Sequence, residues 1–290
     1  MPTDSSPQLS SVDHLVEQFD GFLIDAYGVL VHSDGAYPGS AAFIEELNAR
    51  GVPYRVVTND ASRLPSTCAD KYRGDGVPVP ADRVITSGSM LTPYFDSNDL
   101  DGAACLCLGT RDSRAYVEQA GGTLVDPDES FDVLVMGDDA GFAFRESVDG
   151  ALTHLFHRYD RDEPVELLLP NPDQFFQRGA DRYGVAIGAI ASMLESILED
   201  RYPDRAATFE RLGKPNPDMF NHAAEQVSDE LPASSDPDIL VIGDQLNTDI
   251  RGARNAGLES ALMASSHERW EKAARASGVY PDYILHGLEN

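Results

Sequence analysis

Lysine is almost missing from this sequence. Only Lys71, Lys214 and Lys272 occur in 290 residues, and lysine plus arginine total 22 against 49 aspartates and glutamates, for a formal net charge of −27 at pH 7. A chain so short of positive charge is repelled by phosphate backbones and anionic lipid headgroups, so neither nucleic acid nor a membrane is expected as a partner. Aspartate alone outnumbers all the basic residues together. That balance resembles proteins of salt-accumulating halophiles, where a Debye length of about 3 Å at 1 M salt screens the self-repulsion.

Cysteine is scarce as well. Cys68, Cys105 and Cys107 are odd in number and lack paired metal-ligand spacing, which excludes a disulfide framework and a zinc centre and points to a cytoplasmic protein. Cys105 and Cys107 alternate with leucine in the run Ala103–Leu108 and read as small apolar residues on one face of a buried strand. No apolar run approaches the ~20 residues of a membrane span. Met1–Ser11 lacks the apolar core of a signal peptide and reads as a frayed tail.

What is present is ordinary globular material, 42% hydrophobic and 24% charged. Short β-rich runs alternate with amphipathic stretches: Gly21–Asp25, Ala41–Arg50, Tyr54–Thr58, then a longer polar segment before Arg83–Thr86. This rhythm predicts βαβ units and a parallel sheet. The middle of the chain repeats it with strands at Ala103–Leu108, Asp132–Met136 and Val165–Leu169. Beyond lie a helix at Ile190–Glu199, a strongly apolar strand at Ile239–Ile242, a helix at Thr248–Ala256, and terminal strands at Ser260–Met263 and Tyr283–Leu285. The expected fold is α/β, with a Rossmann-like core domain in two pieces, 1–99 and 189–290, around an inserted α/β domain at 100–188. Asp229–Asp238 is expected to be a surface loop.

Phe22-Leu23-Ile24-Asp25-Ala26-Tyr27-Gly28 is an apolar strand that stops at one carboxylate, and ligand sites of open α/β sheets lie outside such strand ends. Further polar stations stand at Thr58-Asn59, at Lys214 in Gly213-Lys214-Pro215-Asn216-Pro217, and at Asp244 and Asp249 in Gly243–Asp249. Phosphoryl transfer needs a nucleophile, cancellation of phosphate charge, hydrogen bonds to the equatorial oxygens and a magnesium ion, and these residues supply all four requirements. Asp25 is the candidate nucleophile, through an aspartyl-phosphate. Magnesium takes oxygen ligands and keeps several waters, so Asp25, the Tyr27 carbonyl and Asp244 suffice as its protein ligands. Asp249 could hold a metal-bound water or orient Lys214. The Thr58 hydroxyl and the amides around Asn59 suit the phosphoryl oxygens, and Lys214 lets the anionic nucleophile and phosphate approach each other. In a chain nearly emptied of lysine, one retained in this setting is informative.

In these motifs the sequence resembles the haloacid dehalogenase superfamily, at Asp25, Thr58, Lys214 and Asp244 with Asp249. The insertion between Thr58 and Lys214, with Thr86-Ser87-Gly88 before it and Leu169-Pro170-Asn171-Pro172-Asp173 near its end, resembles the class IIA caps of NagD-like and 4-nitrophenylphosphatase-like proteins. The resemblance implies a Rossmann-like core, magnesium dependence and hydrolysis of small phosphorylated metabolites. It also implies a cap that reads the leaving group, with Asn171 and Asp173 as candidates, and pairing of two copies through their caps. In the family a second aspartate, at the position of Tyr27 here, protonates the leaving oxygen and then activates water. Without it three outcomes are open. Turnover could be slow or restricted to good leaving groups, another group such as His32, Asp34, Asp60 or a cap residue could replace the acid, or the protein could bind phosphate ligands without hydrolysing them.

Overall fold

The computed structural model describes residues 7–179, 181–205, 207–232, 237–264 and 267–289. Part of the expected tail, 1–6, and part of the expected loop Asp229–Asp238, 233–236, lie outside the described residues. The chain folds as two compact units. One comprises Met1–Thr58, Pro65–Ile85 and Lys214–Asn290, the other Asn59–Leu64 and Thr86–Gly213.

The first unit is built on a seven-stranded sheet. From edge to edge its strands are Gln8–Leu9, Tyr283–Leu285, Glu259–Met263, Ile239–Gly243, Gly21–Ile24, Tyr54–Thr58 and Val84–Thr86. The registered neighbours Gly21–Ile24 and Ile239–Gly243, and Gly21–Ile24 and Tyr54–Thr58, are parallel. Helices on the faces of such a sheet bury both sides of its strands, which is why these read as unbroken apolar runs. Phe22, Leu23, Ile24, Leu240 and Ile242 are fully buried. Chain order climbs from Gly21–Ile24 to Tyr54–Thr58 to Val84–Thr86 in one direction and from Ile239–Gly243 outward in the other. The strand order therefore reverses between Gly21–Ile24 and Ile239–Gly243, and such a switch point opens a crevice at the carboxyl strand ends.

Local sequence fixes the connections. Helix Ser40–Arg50 ends at Gly51, in the left-handed region at φ 67°, where its N–H reaches back to the Asn48 and Leu47 carbonyls. Helix Pro217–Ser228 begins with proline after Asn216, whose Oδ1 accepts the Asp218 N–H at 2.9 Å. The expected frayed tail is corrected in part. Gln8 and Leu9 pair with Tyr283 and Ile284, because the Gln8 N–H donates to the Asp282 carbonyl at 2.9 Å and the Ser10 N–H to the Ile284 carbonyl at 3.0 Å. The expected helix Thr248–Ala256 is instead a π-helical turn, Leu246–Ile250, running into Arg251–Asn255.

The second unit holds a five-stranded sheet ordered Glu210–Arg211, Glu166–Leu169, Val133–Met136, Ala104–Leu108 and Thr123–Leu124, plus an antiparallel hairpin of Phe175–Gly179 and Arg182–Val185. It extends on both sides of the stretch 100–188. Helix Ile187–Arg201 buries Ile187, Ile190, Ala191, Leu194 and Leu198 in this unit's core, and Glu210–Arg211 adds a strand beside Leu168 and Leu169. Cys105 and Cys107 lie buried in the Ala104–Leu108 strand, and burial pushes both thiols up to about 12. They are small core residues with no thiolate to react. No described helix is long and apolar enough to cross a membrane.

Candidate active site

Asp25 follows the last residue of its strand, and its backbone N–H donates to the Ile242 carbonyl of the neighbouring strand at 2.8 Å. Its carboxylate is turned by the next peptide, since the Ala26 N–H donates to Asp25 Oδ1 at 2.8 Å. Asp244 follows the adjacent strand in the same way. Two of the expected site residues thus project from opposite sides of the topological switch.

Lys214 joins them. Its Nζ donates to Asp25 Oδ1 and to Asp249 Oδ1, each at 2.6 Å, with Lys214 only 4% exposed. The second oxygen of Asp249 accepts the Gln245 N–H at 3.1 Å, so this carboxylate also closes the loop that carries Asp244. Asp25, Asp244 and Asp249 offer oxygens that all lie within 4.8 Å of one another. Two glycines make this crowding possible. A Cβ on Gly243 would strike the Asp249 side chain, and one on Gly28, already at φ +94°, would strike the Asp244 carboxylate.

The electrostatics follow from three acids around one ammonium. Burial pushes the Asp25 carboxyl well above its usual range, with Lys214 opposing and Asp249 and Asp244 adding to the rise. Burial, then Asp249, raises Asp244 to about 7. Burial alone would depress Lys214, but Asp249 and Asp25 outweigh it and hold the ammonium above its usual range. Asp244 Oδ1 is buried without a hydrogen-bond partner. Clustered hard oxygens, surplus negative charge and an unsatisfied buried carboxylate oxygen fit a divalent cation.

Thr58 ends the strand next to that of Asp25 and is buried. Residues 22–123 match the haloacid dehalogenase-like hydrolase model, and 211–290 match a second one, HAD-hydrolase-like. The crystal structure of a possible sugar phosphatase of the HAD superfamily from Cytophaga hutchinsonii superposes with a TM-score of 0.83 at 30% identity, covering 98% of this chain and 99% of that one. The chain belongs to the haloacid dehalogenase superfamily. Its inserted α/β unit is that of the class IIA, NagD-like branch. Among curated relatives, an acid sugar phosphatase of Staphylococcus saprophyticus is 27% identical, covering 94% of this chain and 96% of its own. A dihydroxyacetone phosphatase of Corynebacterium glutamicum is 25% identical, covering 84% and 80%.

In this haloacid dehalogenase-family hydrolase, Tyr27 is half-buried and its ring lies 5.3 Å from Lys71 Nζ, which also pairs with Asp75 at 2.8 Å. Lysine scarcity could have drawn attention to Lys71, but nothing in the linear sequence links helix Pro65–Gly74 to Tyr27. The groups considered as substitute acids have their own bonds. Asp60 is spent within its loop, accepting from Ser62 and pairing with Arg63 at 2.8 Å. His32 Nδ1 accepts the Asp34 N–H at 3.1 Å, and its ring packs edge-on against Tyr37 at 4.9 Å. That bond places the proton of the neutral ring on Nε2. Asp34 itself is exposed.

Asn59 follows Thr58 in the chain but belongs to the second unit. There its Nδ2 donates to Asp173 Oδ1 at 3.0 Å, and its carbonyl accepts the Ser87 hydroxyl at 2.8 Å. Asn171 Oδ1 accepts the Asp173 N–H at 3.0 Å, so the Asn-Pro-Asp segment forms the turn its composition suggests.

Proposed function

We propose that this protein is a magnesium-dependent phosphatase of small phosphate monoesters that works through an aspartyl-phosphate on Asp25. The observation that carries the reading is the buried Asp25–Lys214–Asp249 contact, with Asp244 beside it, at the sheet's topological switch. The phosphatase names of the curated relatives support the substrate class.

In this reading an Asp25 oxygen attacks phosphorus, the phosphorus–oxygen ester bond breaks, and the bonding pair leaves with the alcohol oxygen. Water then attacks the aspartyl-phosphate, releasing inorganic phosphate and restoring the carboxylate. Asp25, Asp244 and the Tyr27 carbonyl would hold magnesium, which when bound neutralises phosphoryl charge. Asp249 orients Lys214, whose ammonium compensates the charge of nucleophile and phosphate. The Thr58 hydroxyl and the Asn59 amide serve the phosphoryl oxygens. The inserted unit, with residues 100–188 at its centre, acts as the cap that reads the leaving group.

Tyr27 sets the limit on this chemistry. A phenol, with a pKa of about 10, is a poor substitute for a carboxyl group as proton donor near neutrality, so substrates with good leaving groups, such as aryl or acyl phosphates, are the preferred ones. The same residue supports a second reading, a phosphate-ligand binder without turnover. The acidic surface suits either activity to high salt.

The test is release of inorganic phosphate from 4-nitrophenyl phosphate with magnesium, at low and at about 1 M salt. Asp25→Asn is expected to abolish it. Activity unchanged in that variant would sink the proposal, and ligand affinity without phosphate release by the wild type would select the binder.

A further inference from the structure

The turn Pro170-Asn171-Pro172-Asp173 touches two residues whose chain neighbours stand in the site just described. One is Asn59, next after Thr58. Asp173 takes the Asn59 side-chain amide at 3.0 Å while the Ser87 hydroxyl holds the Asn59 carbonyl, so this 7% exposed residue is gripped at both ends. The other is Gly213, immediately before Lys214. A Cβ on Gly213 would lie 2.5 Å from the Pro170 carbonyl oxygen and 2.6 Å from Asn59 Oδ1. Residues 59, 170–173 and 213 therefore form one close-packed knot inside the second unit, with no space even for a methyl group.

The turn is itself pinned. Asn171 Oδ1 holds the Asp173 N–H at 3.0 Å, the Gly188 N–H donates to the Asp173 carbonyl at 3.1 Å, and the Leu212 N–H donates to the Leu169 carbonyl at 3.1 Å. The Asp173 backbone is thus held by its own loop and by the start of helix Ile187–Arg201, which fixes the point from which its carboxylate reaches Asn59.

We propose that Asp173 is a positioning residue for phosphoryl binding. By fixing the Asn59 amide it orients the peptide that follows Thr58, the one that serves a phosphoryl oxygen. This inference rests on the phosphatase reading above and assigns Asp173 a task different from recognition of the leaving group. Its reach is general: a loosened Asn59 misplaces the phosphoryl group whatever alcohol is attached. Misplacement by about 1 Å can cost on the order of 10²-fold in rate.

The test compares Asp173→Ala with Asp173→Asn, which retains the Oδ1 acceptor, on 4-nitrophenyl phosphate and on a sugar phosphate. Asp173→Ala is expected to lose roughly 10²-fold in kcat/KM on both esters and to weaken competitive inhibition by inorganic phosphate, while Asp173→Asn stays close to wild type. Melting temperatures of both variants are read alongside. Wild-type rates in Asp173→Ala overturn the inference. So does equal loss in both variants, which would make the charge and not the hydrogen bond decisive. A loss confined to the sugar phosphate also overturns it, in favour of leaving-group recognition, as does a lower melting temperature with unchanged phosphate inhibition. Failure of the wild type to release phosphate from both esters overturns the phosphatase reading and this inference with it.

Discussion

Lys214 Nζ lies 2.6 Å from Asp25 Oδ1, with the two side chains 4% and 8% exposed. The same ammonium meets Asp249 at 2.6 Å. Replacing Lys214 by methionine leaves both carboxylates buried without that cation, and breaking a buried pair by removing one partner costs about 3–5 kcal/mol. Lys214→Met is therefore expected to lower the free energy of unfolding in urea by that amount and to abolish phosphate release. An unchanged urea midpoint would show that the pair is less buried in solution than it is here.

At position 27 a carboxyl group is expected to help and a phenyl ring to be neutral. Tyr27→Asp supplies a proton donor two residues after the nucleophile, and general acid catalysis contributes roughly 10²–10⁴-fold. The gain should be largest on alkyl phosphates, whose leaving oxygen needs the proton. Tyr27→Phe keeps a ring beside Lys71 and should leave the rate within a few-fold of wild type. Steady-state kinetics on matched aryl and alkyl esters decide both points.

Asp244 is expected to trade stability for metal binding. Burial and the neighbouring Asp249 raise its carboxyl to about 7, so Asp244→Asn removes a charge that the fold disfavours. In EDTA this variant should melt above the wild type. Magnesium should raise the wild-type melting temperature, in line with linkage of about 2.7 kcal/mol at 100 times the Kd, and raise that of the variant much less. Equal magnesium shifts in both proteins would place the cation elsewhere.

A pH effect is expected in the second unit. Asp138 is raised to about 6, by burial first and with Asp139 and Asp60 adding, although its Oδ1 accepts the Ala140 N–H at 3.0 Å. A carboxyl whose folded pKa exceeds its usual value of 3.8 binds its proton more tightly when folded. Its destabilising effect is absent below about pH 4, grows between about pH 4 and 6, and is complete above that window. Asp138→Asn keeps the Oδ1 acceptor, so it should melt above the wild type at neutral pH and with it near pH 4. Melting curves across that range test the sign.

Much of the fold was legible because burial on both faces of a parallel sheet writes itself as uninterrupted apolar runs. Phe22–Ile24, Val56–Val57 and Ile239–Ile242 needed no partner information to read as strands. Gln8–Leu9 did, because an edge pair of mixed polarity is stabilised by backbone bonds to Tyr283 and Ile284 and leaves no periodic trace. The extent of the second unit was obscured for a related reason, since Ile187–Arg201 reads as an apolar helix whichever core it enters.

The candidate site divides in the same way. The sequence by itself determined that Asp25, Thr58 and Asp244 stand at strand ends, because strand termination is a local property, and it singled out Lys214 because lysine is rare enough here to be conspicuous. Only the tertiary structure decided how those groups share charge: that Lys214 bridges Asp25 and Asp249, that Asp244 keeps an oxygen without a partner, that Lys71 reaches Tyr27, and that Asp173 holds Asn59. The physical reason is separation along the chain. Asp25 and Lys214 are 189 residues apart and Asn59 and Asp173 are 114 apart, so each contact depends on how whole elements pack and leaves no signal in the residues around it.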